Sequence, residues 1–394
     1  MKTIPYARQF LNRDDIREAV KALKSDWITQ GPRIKRFEEM LCDYTGAKYA
    51  VALSSGTAAL HITMLSLGIG KGDEVITSPI TFSASANCAL YVGASPRFVD
   101  IDDKFYQMDV EKLKDLLKAP SRRKRVKAVV AVHFMGAVSR ISDIRNICER
   151  YGIKVVEDAA HALGASYSTA GNAKIMVGAS RHSDVTIFSF HPIKHITTGE
   201  GGAILTNSRR VFERATRLRH HGILKTDKDS WLYDIPSIGF NYRITDFQCA
   251  LGISQLKKLD WMVNERRRLV KKYNDAFSNI DGLRLPYERK GARSSYHLYV
   301  IRALDANRDE LYKYLAANRI MTQVNYIPVH LFSYYRRVLG YSKGDFPVSE
   351  NYYKECMSLP LYVGLSGRDQ SRVCLLYTSP SPRDRTRSRM PSSA

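Results

Sequence analysis

The chain has 394 residues, a formal net charge of +22 and 44% hydrophobic residues. This length accommodates one large and one small domain, and the positive charge favours anionic ligands such as nucleotides. No apolar run is long enough to cross a membrane, and no helix-turn-helix, RNA-binding or zinc-finger spacing indicates a nucleic-acid partner. The six cysteines follow no pairing or metal-ligand pattern, and residues 1–15 lack a secretory apolar segment. We therefore expect a cytoplasmic protein without a metal site.

The first predicted elements are two amphipathic helices, one over Arg13–Leu23 with Asn12 as its candidate cap and one over 34–41. Short strands rich in Val, Ile and Ala then alternate with helical stretches between residue 49 and about residue 207. The strands are predicted at 50–53, 74–78, 128–133, 154–157 and 185–190. This alternation is typical of an α/β fold with a mainly parallel sheet.

The C-terminal third predicts a different architecture. Residues 247–277 have the periodicity of one long helix that leaves the large domain. Residues 296–373 mix strands and helices, which indicates a smaller α+β domain. We therefore divide the chain into a large cofactor-binding domain over 1–250, with an N-terminal helical segment, and a small domain over 251–373.

A candidate phosphate site lies in residues 51–60, VALSSGTAAL, where a short strand is followed by a small-residue turn and a helix. Free amides at a helix N-terminus bind anions, and Gly56 permits a close approach to the backbone. An ordinary helix cap is the alternative interpretation. The segment lacks the lysine of a P-loop and the GxGxxG spacing of a dinucleotide site, which argues against both of those assignments.

A candidate acid lies in residues 155–164, VVEDAAHALG, which predict a strand ending in Glu157 and Asp158. Ligands of open α/β sheets bind at strand ends. A carboxylate there can pair with the ring nitrogen of pyridoxal phosphate and keep the ring protonated. Asp158 precedes Ala-Ala-His-Ala and is equally suited to cap a helix, so this segment alone leaves both interpretations open.

Residues 188–207, FSFHPIKHITTGEGGAILTN, place Lys194 between a predicted apolar strand and a turn of small residues. Partial burial at that edge lowers the pKa of a lysine and frees its amine to form a Schiff base. Ser189, five residues earlier, is suited to hydrogen-bond a phosphate. A lone lysine beside a glycine-rich turn is more often a surface residue. The interpretation of Lys194 as a cofactor lysine therefore depends on the other two segments.

Taken in order, the phosphate turn, the acid, the Ser-x4-Lys spacing and the glycine-rich turn resemble the fold-type I pyridoxal phosphate enzymes. More narrowly, the chain resembles the sugar aminotransferases often named DegT/StrS over nearly all of residues 4–373. Further similarities are WITQGP at 27–32, GDEV at 72–75, PITF at 79–82 and PSIGFNYRITDFQCALGISQL at 236–256. The resemblance implies a mainly parallel large-domain sheet with a smaller C-terminal α+β domain, and a cofactor at the strand ends between them.

The resemblance also implies how the residues divide the work. Lys194 is expected to hold pyridoxal 5'-phosphate as an internal aldimine and to shuttle protons, while Asp158 pairs with the ring nitrogen. Phe82 is expected to stack on the ring and His161 to lie near it; a core aromatic and a structural histidine are the alternatives. The expected phosphate ligands from the same chain are Thr57, Ala58 and Ser189. The resemblance also implies a homodimer with a shared active site, in which the partner subunit's Asn241 reaches the phosphate.

The implied reaction moves an amino group from glutamate, which leaves as 2-oxoglutarate, to a keto-sugar carried on a nucleotide. Residues 220–260 and 323–330 look most like UDP-4-amino-4,6-dideoxy-N-acetyl-β-L-altrosamine transaminases, which make a precursor of pseudaminic acid. The expected substrate contacts are Arg243, Tyr326 and His330, with surface or packing roles as alternatives. Related enzymes that aminate other keto-sugars, and a catalytically idle cofactor-binding regulatory protein, are the alternative functions.

The last segment, residues 374–394, is rich in Ser, Pro and Arg and has no apolar periodicity. Its composition alone is typical of a disordered tail. Residues 374–384 and 388–394 also match the translation of a transposase sequencing adapter. We therefore expect residues 374–394 to be non-native and exclude them from the predicted fold.

Overall fold

A computed structural model describes residues 2–169, 173–225, 231–304 and 307–378. Its helices, in chain order, are α1 (Arg13–Leu23), α2 (Pro32–Thr45), α3 (Gly56–Leu67), α4 (Ala84–Tyr91), α5 (Val110–Lys118), α6 (Pro120–Arg123), α7 (Ile141–Glu149), α8 (Arg209–Arg219), α9 (Asp246–Leu256), α10 (Leu259–Phe277), α11 (Arg308–Ala317), α12 (Ser333–Leu339), α13 (Pro347–Glu355) and α14 (Gly367–Thr378). Single turns of 3₁₀ helix cover Phe134–Gly136 and Val329–Leu331.

The strands, in the same order, are β1 (Tyr49–Leu53), β2 (Glu74–Thr77), β3 (Ser95–Phe98), β4 (Val126–Val132), β5 (Lys154–Asp158), β6 (Ser166–Ser168), β7 (Lys174–Met176), β8 (Val185–Ser189), β9 (Gly202–Thr206), β10 (Leu224–Lys225), β11 (Tyr233–Asp234), β12 (Leu283–Arg284), β13 (Ala292–Arg293), β14 (Tyr299–Ala303) and β15 (Cys356–Leu359). Seven of them form the main sheet in the order β1-β9-β8-β5-β4-β2-β3. The pairs from β8 to β3 are parallel, and β9 runs antiparallel to both of its neighbours.

Apolar side chains cover both faces of this sheet. Alternate residues of one strand belong to different core clusters, as Val129 and Val130 of β4 do. One cluster includes Phe37 of α2 and Ile144 of α7, and the other includes Met64 of α3. Burial on both faces explains why the predicted strands are nearly continuous apolar runs. The predicted mainly parallel α/β sheet is confirmed.

Helix α1 begins and ends where the sequence predicts. Asn12 caps it, because its side chain accepts from the Asp15 amide at 3.1 Å while its own amide donates to the Asp15 carboxylate at 2.9 Å. The fully buried Asp15 carboxylate also accepts from Ser254 at 2.6 Å and from Lys258 at 2.6 Å. These bonds hold α1 against the junction of α9 and α10.

The prediction of one helix over 247–277 is wrong, since the structure has α9 and α10 with a break between them. Lys258 has φ −108° and ψ 1°, which is not helical. No glycine or proline marks this break. The Lys258 amine instead reaches Asp15 and Asn12 of the N-terminal segment, so a distant contact accompanies the bend. The domain boundary predicted at residue 250 stays a prediction and falls inside α9.

The smaller antiparallel sheet β12-β14-β15 has its own core. Tyr273 and Phe277 of α10 pack there with Tyr299 of β14 and Val373 of α14. Arg302 of β14, only 2% exposed, bonds the carboxylates of Asp103 and Glu355 and so ties this sheet to the loop between β3 and α5.

Helix α14 continues past residue 373, and Cys374 packs in the same core as Val373. Residues 379–394 lie outside the described part of the chain, so the adapter prediction for 374–394 stays a prediction. Within the described ranges, none of the helices combines the length and apolarity needed to span a membrane.

Strand β9 approaches the turn before α3 so closely that only glycine fits at Gly202. A Cβ there would overlap the carbonyl oxygen of Ser55 and lie 2.6 Å from the Gly56 nitrogen. Gly56 in turn packs on Ser189, since a Cβ on it would lie 3.0 Å from the Ser189 Cβ. The ends of β8 and β9 and the start of α3 are therefore in direct contact.

Replacing Gly202 with alanine should lower the free energy of unfolding by about 1–3 kcal/mol or more, because the obstructing atoms are backbone. Gly70→Ala is the matched control, since its Cβ would meet only the Val92 carbonyl at 3.9 Å. That variant should stay within about 0.5 kcal/mol of the parent or gain slightly. Chemical denaturation measures both, and equal stabilities would contradict the close approach.

Candidate active site

Three chain segments meet at one end of the main sheet and border a cavity of about 330 Å³. They are the end of β5 at Asp158, the end of β8 at Ser189 and the first turn of α3 at Thr57. Tyr326 and Tyr6, which lies near the start of the chain, also line the cavity. The segments singled out in the sequence are thus brought together, at the strand ends where α/β folds bind ligands.

Lys194 lies in this cavity and is only partly exposed. It follows β8 on a turn, where its amide donates to the His191 carbonyl at 2.9 Å. Burial lowers the pKa of Lys194 to about 8, and the charge of Asp158 opposes the shift. An amine with this pKa is partly neutral near physiological pH and can act as a nucleophile or base. The surface-lysine alternative does not describe this environment.

Asp158 is the last residue of β5 and is 6% exposed. Its Oδ1 accepts from the Ala160 amide at 3.1 Å, and its Oδ2 accepts from the Ser85 hydroxyl at 2.5 Å. Residues 159–164 form turns rather than a helix, so the helix-cap alternative for Asp158 is wrong. The structure instead presents a buried, hydrogen-bonded carboxylate beside the Lys194 amine.

The candidate phosphate end consists of the start of α3 and Ser189. Thr57 and Ser189 line the cavity, together with Gly56. Ala58 does not line it, and its amide donates to the side chain of Ser55, the N-cap of α3, at 3.0 Å. The expected Ala58 contact to the phosphate stays a prediction, because in this structure that amide has its partner within the helix cap.

Two aromatic rings flank the cavity. Phe82 is 60% exposed, so the alternative of a core aromatic is wrong, and its ring centre lies 6.2 Å from that of Tyr326. The Tyr326 hydroxyl lies 3.3 Å from His161 Nε2. His161 is 5% exposed and its ring lies 4.2 Å from that of His297. Burial and the nearby Lys194 hold the pKa of His161 well below its usual value, so this histidine borders the cavity as a neutral group.

Besides Ala58, three predicted site residues lie outside the cavity. Asn241 is exposed, and Arg243 Nη1 lies 2.8 Å from His220 Nδ1 beside a second cavity of about 750 Å³ between α2 and α8. His330 is fully buried, with Nε2 3.0 Å from a Glu350 carboxylate oxygen, which is the packing role that was its alternative.

Sequence patterns did not reveal several residues around the cavity. Tyr6 and Asn325 line it, and the Tyr6 hydroxyl donates to Asn325 Oδ1 at 3.3 Å. Ser358 donates to the same oxygen at 2.8 Å. The Asn325 side chain is thus held from two distant parts of the chain. Asn325 lies within the segment 323–330 singled out in the sequence, but no motif marks Tyr6 or Ser358.

A second buried network lies on the other side of β5. His133 Nε2 is 2.7 Å from Glu157, whose carboxylate also accepts from Ser183 at 2.5 Å and Thr186 at 3.0 Å. His133 Nδ1 accepts from the Ser139 amide, so Nε2 carries the proton that it donates. Burial alone would raise the pKa of Glu157, but these hydrogen bonds hold it below its usual value.

Comparison with known proteins identifies what this arrangement belongs to. Residues 10–376 match the model of the DegT/DnrJ/EryC1/StrS aminotransferase family. The chain belongs to this family. The spore coat polysaccharide biosynthesis protein SpsC of Bacillus subtilis is 38% identical over 94% of this chain and 95% of its own length. A UDP-4-amino-4,6-dideoxy-N-acetyl-beta-L-altrosamine transaminase of Campylobacter jejuni is 35% identical over 94% and 95%.

Solved structures agree with the family assignment. Helicobacter pylori PseC, an aminotransferase of pseudaminic acid biosynthesis, matches with a TM-score of 0.87 and 30% identity over 95% of this chain and 98% of its own. A Streptococcus pneumoniae protein described as a sugar aminotransferase matches in its PLP form with a TM-score of 0.86 and 28% identity over 94% and 97%. The predicted fold-type I architecture, the pyridoxal phosphate cofactor and the nucleotide-sugar aminotransferase class are confirmed.

The residues of the cavity fit the cofactor chemically. The partly neutral amine of Lys194 suits the aldehyde of pyridoxal phosphate, and the carboxylate of Asp158 suits its ring nitrogen. The Ser189 hydroxyl and the helix N-terminus at Thr57 suit its phosphate. A volume of about 330 Å³ suits a small ligand. In the described residues no group of three or more His, Cys, Asp or Glu side chains could hold a metal ion.

The lowered pKa of Lys194 makes a prediction about cofactor capture. Only the neutral amine reacts, so the rate at which the cofactor-free chain takes up pyridoxal phosphate should rise about tenfold per pH unit and level off near pH 8. Stopped-flow absorbance measures this profile. Lys194→Ala supplies the background reaction of solvent lysines, whose pKa is about 10.4. A plateau only near pH 10 for the parent chain would contradict the burial of this amine.

Proposed function

We propose that the chain transfers an amino group from glutamate to a UDP-linked 4-keto-6-deoxy sugar, as a step toward pseudaminic acid. The observation that carries the proposal is a lysine of lowered pKa beside a buried carboxylate in a cavity of a sugar aminotransferase. The choice of sugar is supported by the names of two relatives, the Campylobacter transaminase and the Helicobacter PseC structure.

Each residue would have a defined part in this reaction. The cofactor supplies an electron sink that stabilises negative charge at the carbon losing its proton. Lys194 Nζ would accept that proton and return it, as a base and then an acid with a pKa near the working pH. Asp158 would keep the ring nitrogen protonated, and the exposed face of Phe82 would hold the ring. Ser189 and Thr57 would bind the phosphate.

The amino acceptor has a second candidate. SpsC, which is 38% identical, carries a name from spore coat polysaccharide biosynthesis, so another nucleotide-linked keto-sugar is the second candidate. The basic side chains Lys35, Arg217 and Arg243 line the cavity of about 750 Å³, which favours an anionic ligand or partner there. We retain Tyr326 as a proposed substrate contact because it lines the cofactor cavity, and we assign no such role to the buried His330.

We further propose a homodimer in which the active site is shared. Asn241 is exposed and does not line the cavity of its own chain, so its proposed phosphate contact would be made to a second copy. Nearby, Trp231 is 88% exposed and Ile238 is 85% exposed. Apolar side chains this exposed are typical of protein interfaces.

The amino-transfer half of the proposal is tested by absorbance spectroscopy of the cofactor-loaded chain. Glutamate should remove the visible band and release 2-oxoglutarate, and the matching UDP-linked keto-sugar should restore the band. Lys194→Ala should lose roughly 10²–10⁴-fold or more in turnover, because it lacks the acid–base group. Lys343→Ala is the control, since Lys343 is exposed and outside the cavity.

The same experiment separates the alternatives. A band that glutamate leaves unchanged would favour another donor or a catalytically idle regulatory protein. Restoration of the band by a different keto-sugar, but not by the UDP-linked 4-keto-6-deoxy sugar, would favour the second candidate. Full turnover by Lys194→Ala would contradict the proposed chemistry.

A shared active site predicts complementation between two inactive variants. Lys194→Ala and Asn241→Ala chains should each be impaired alone, but a mixed dimer has one site with both residues intact. Random exchange of subunits should therefore restore about a quarter of the parent activity. Activity is measured after mixing and after refolding together. No recovery from a verified mixture of dimers would contradict a site shared through Asn241.

A further inference from the structure

A hydrogen-bonded pair of hydroxyl side chains contacts Asp158 from the segment that carries Phe82. The Ser85 hydroxyl lies 2.5 Å from Asp158 Oδ2, and the Thr81 hydroxyl lies 2.7 Å from that of Ser85. Ser85 is completely buried, and Thr81 and Asp158 are 2% and 6% exposed. Thr81 lies within the PITF segment at 79–82, but no sequence pattern assigns a role to either hydroxyl.

The direction of these bonds follows from the chemistry of the groups. An ionised carboxylate can only accept, so Ser85 donates to Asp158. The Ser85 oxygen then has lone pairs free for the Thr81 proton, and the chain runs from Thr81 through Ser85 to Asp158. Bonds that point the same way in a buried environment polarise and strengthen one another. A bond from a neutral hydroxyl to a carboxylate is also stronger than one between neutral groups.

Local structure holds Ser85 in place. It lies in the first turn of α4, and its amide donates to the Phe82 carbonyl at 3.1 Å. The Cys88 thiol donates to the Ser85 carbonyl at 3.2 Å, so the cysteine supports the turn without competing for the carboxylate. One short segment therefore carries both the exposed ring of Phe82 and a donor to Asp158.

We propose that Ser85, oriented by Thr81, is a positioning residue that holds the Asp158 carboxylate ionised and aimed at the ring nitrogen of the cofactor. This inference rests on the proposed role of Asp158 and adds the groups through which the chain controls that role. Ser85 does not line the cavity, so it acts through Asp158 rather than on the ligand.

The titratable groups that interact with Asp158 come from three other elements. They are Lys194 after β8, Cys88 of α4 and Tyr326 from the segment after α11. Burial raises the pKa of both Cys88 and Tyr326, so those two groups stay neutral across the useful pH range. Lys194 also interacts with His161, His195 and His297, and burial holds the pKa of all three well below its usual value, so they too stay neutral. A pH titration near neutrality therefore reports on the nitrogen at Lys194 and its coupling to Asp158.

The test is a pH titration of the visible absorption of the cofactor-loaded chain. Without the Ser85 donor, the carboxylate is less stabilised and draws the ring-nitrogen proton toward itself. The ring then withdraws less electron density, so the nitrogen at Lys194 binds its proton more tightly and its pKa rises. In Ser85→Ala the titration midpoint should therefore move upward by about one pH unit, the size expected for a lost bond to a charged group.

Thr81→Val keeps the shape of the side chain and removes only the upstream donor, so its shift should be in the same direction and smaller. Ser83→Ala, in the same segment but without a side-chain cap bond, should leave the midpoint unchanged. In Ser85→Ala, kcat should fall roughly fivefold to tenfold with KM for glutamate within about twofold, since the change affects the transition state more than binding.

Asp158→Asn separates this inference from the proposed function. It should move the midpoint further than Ser85→Ala does. If Asp158→Asn shifts the midpoint but folded, cofactor-loaded Ser85→Ala and Thr81→Val do not, the positioning role is overturned while the role of Asp158 stands. If Asp158→Asn itself has no effect, both fail. Thermal unfolding of the cofactor-free variants shows that any shift does not come from a general loss of structure.

Discussion

Burial of the Lys194 amine beside the Asp158 carboxylate is the interaction on which the site depends. Burial lowers the pKa of the lysine to about 8, and the nearby negative charge limits that shift. A lysine in open water would be almost fully protonated at neutral pH. Without the carboxylate, the amine would lose the charge that moderates its desolvation. The cavity therefore has to exclude enough water to lower the pKa of Lys194. It also has to provide hydrogen-bond donors for the Asp158 carboxylate.

Two adjacent acids at the end of β5, Glu157 and Asp158, are both held by hydrogen bonds. Glu157 is held on one side by His133, Ser183 and Thr186. Asp158 on the other side is held by Ser85 and the Ala160 amide. Neighbouring residues of a strand point to opposite faces, so one short segment carries two buried carboxylates in separate networks. The hydrogen bonds around Glu157 offset the cost of burying its charge and hold its pKa below the usual value.

Close backbone packing brings the remaining parts to the same place. Gly202 allows β9 to pass the Ser55 carbonyl, and Gly56 allows the turn before α3 to rest on Ser189. The phosphate end of the cavity is thereby fixed relative to the strand that precedes Lys194. Tyr326, from the segment between α11 and α12, reaches His161, so the position of that segment determines one wall of the cavity.

The sequence by itself determined the elements whose signals are local. Apolar runs predicted five of the seven strands of the main sheet to within about two residues but missed β3 and β9, and the Asn12 cap marked the start of α1. The order of the phosphate turn, the acid and the lysine indicated the family and brought Lys194, Asp158 and Ser189 into one hypothesis. These features depend on neighbouring residues along the chain, which is why they can be recognised without a structure.

Tertiary structure alone decided the features that depend on distant partners. The break between α9 and α10 coincides with a bond from Lys258 to Asp15, 243 residues away. Ser85 donates a hydrogen bond to Asp158, which is 73 residues away in the sequence, and the residues around neither position predict this contact. The local pattern around His330 resembled a ligand contact, yet burial against Glu350 removed it from the cavity. Side-chain hydrogen bonds of this kind depend on how the sheets and helices pack. The local sequence pattern does not predict that packing.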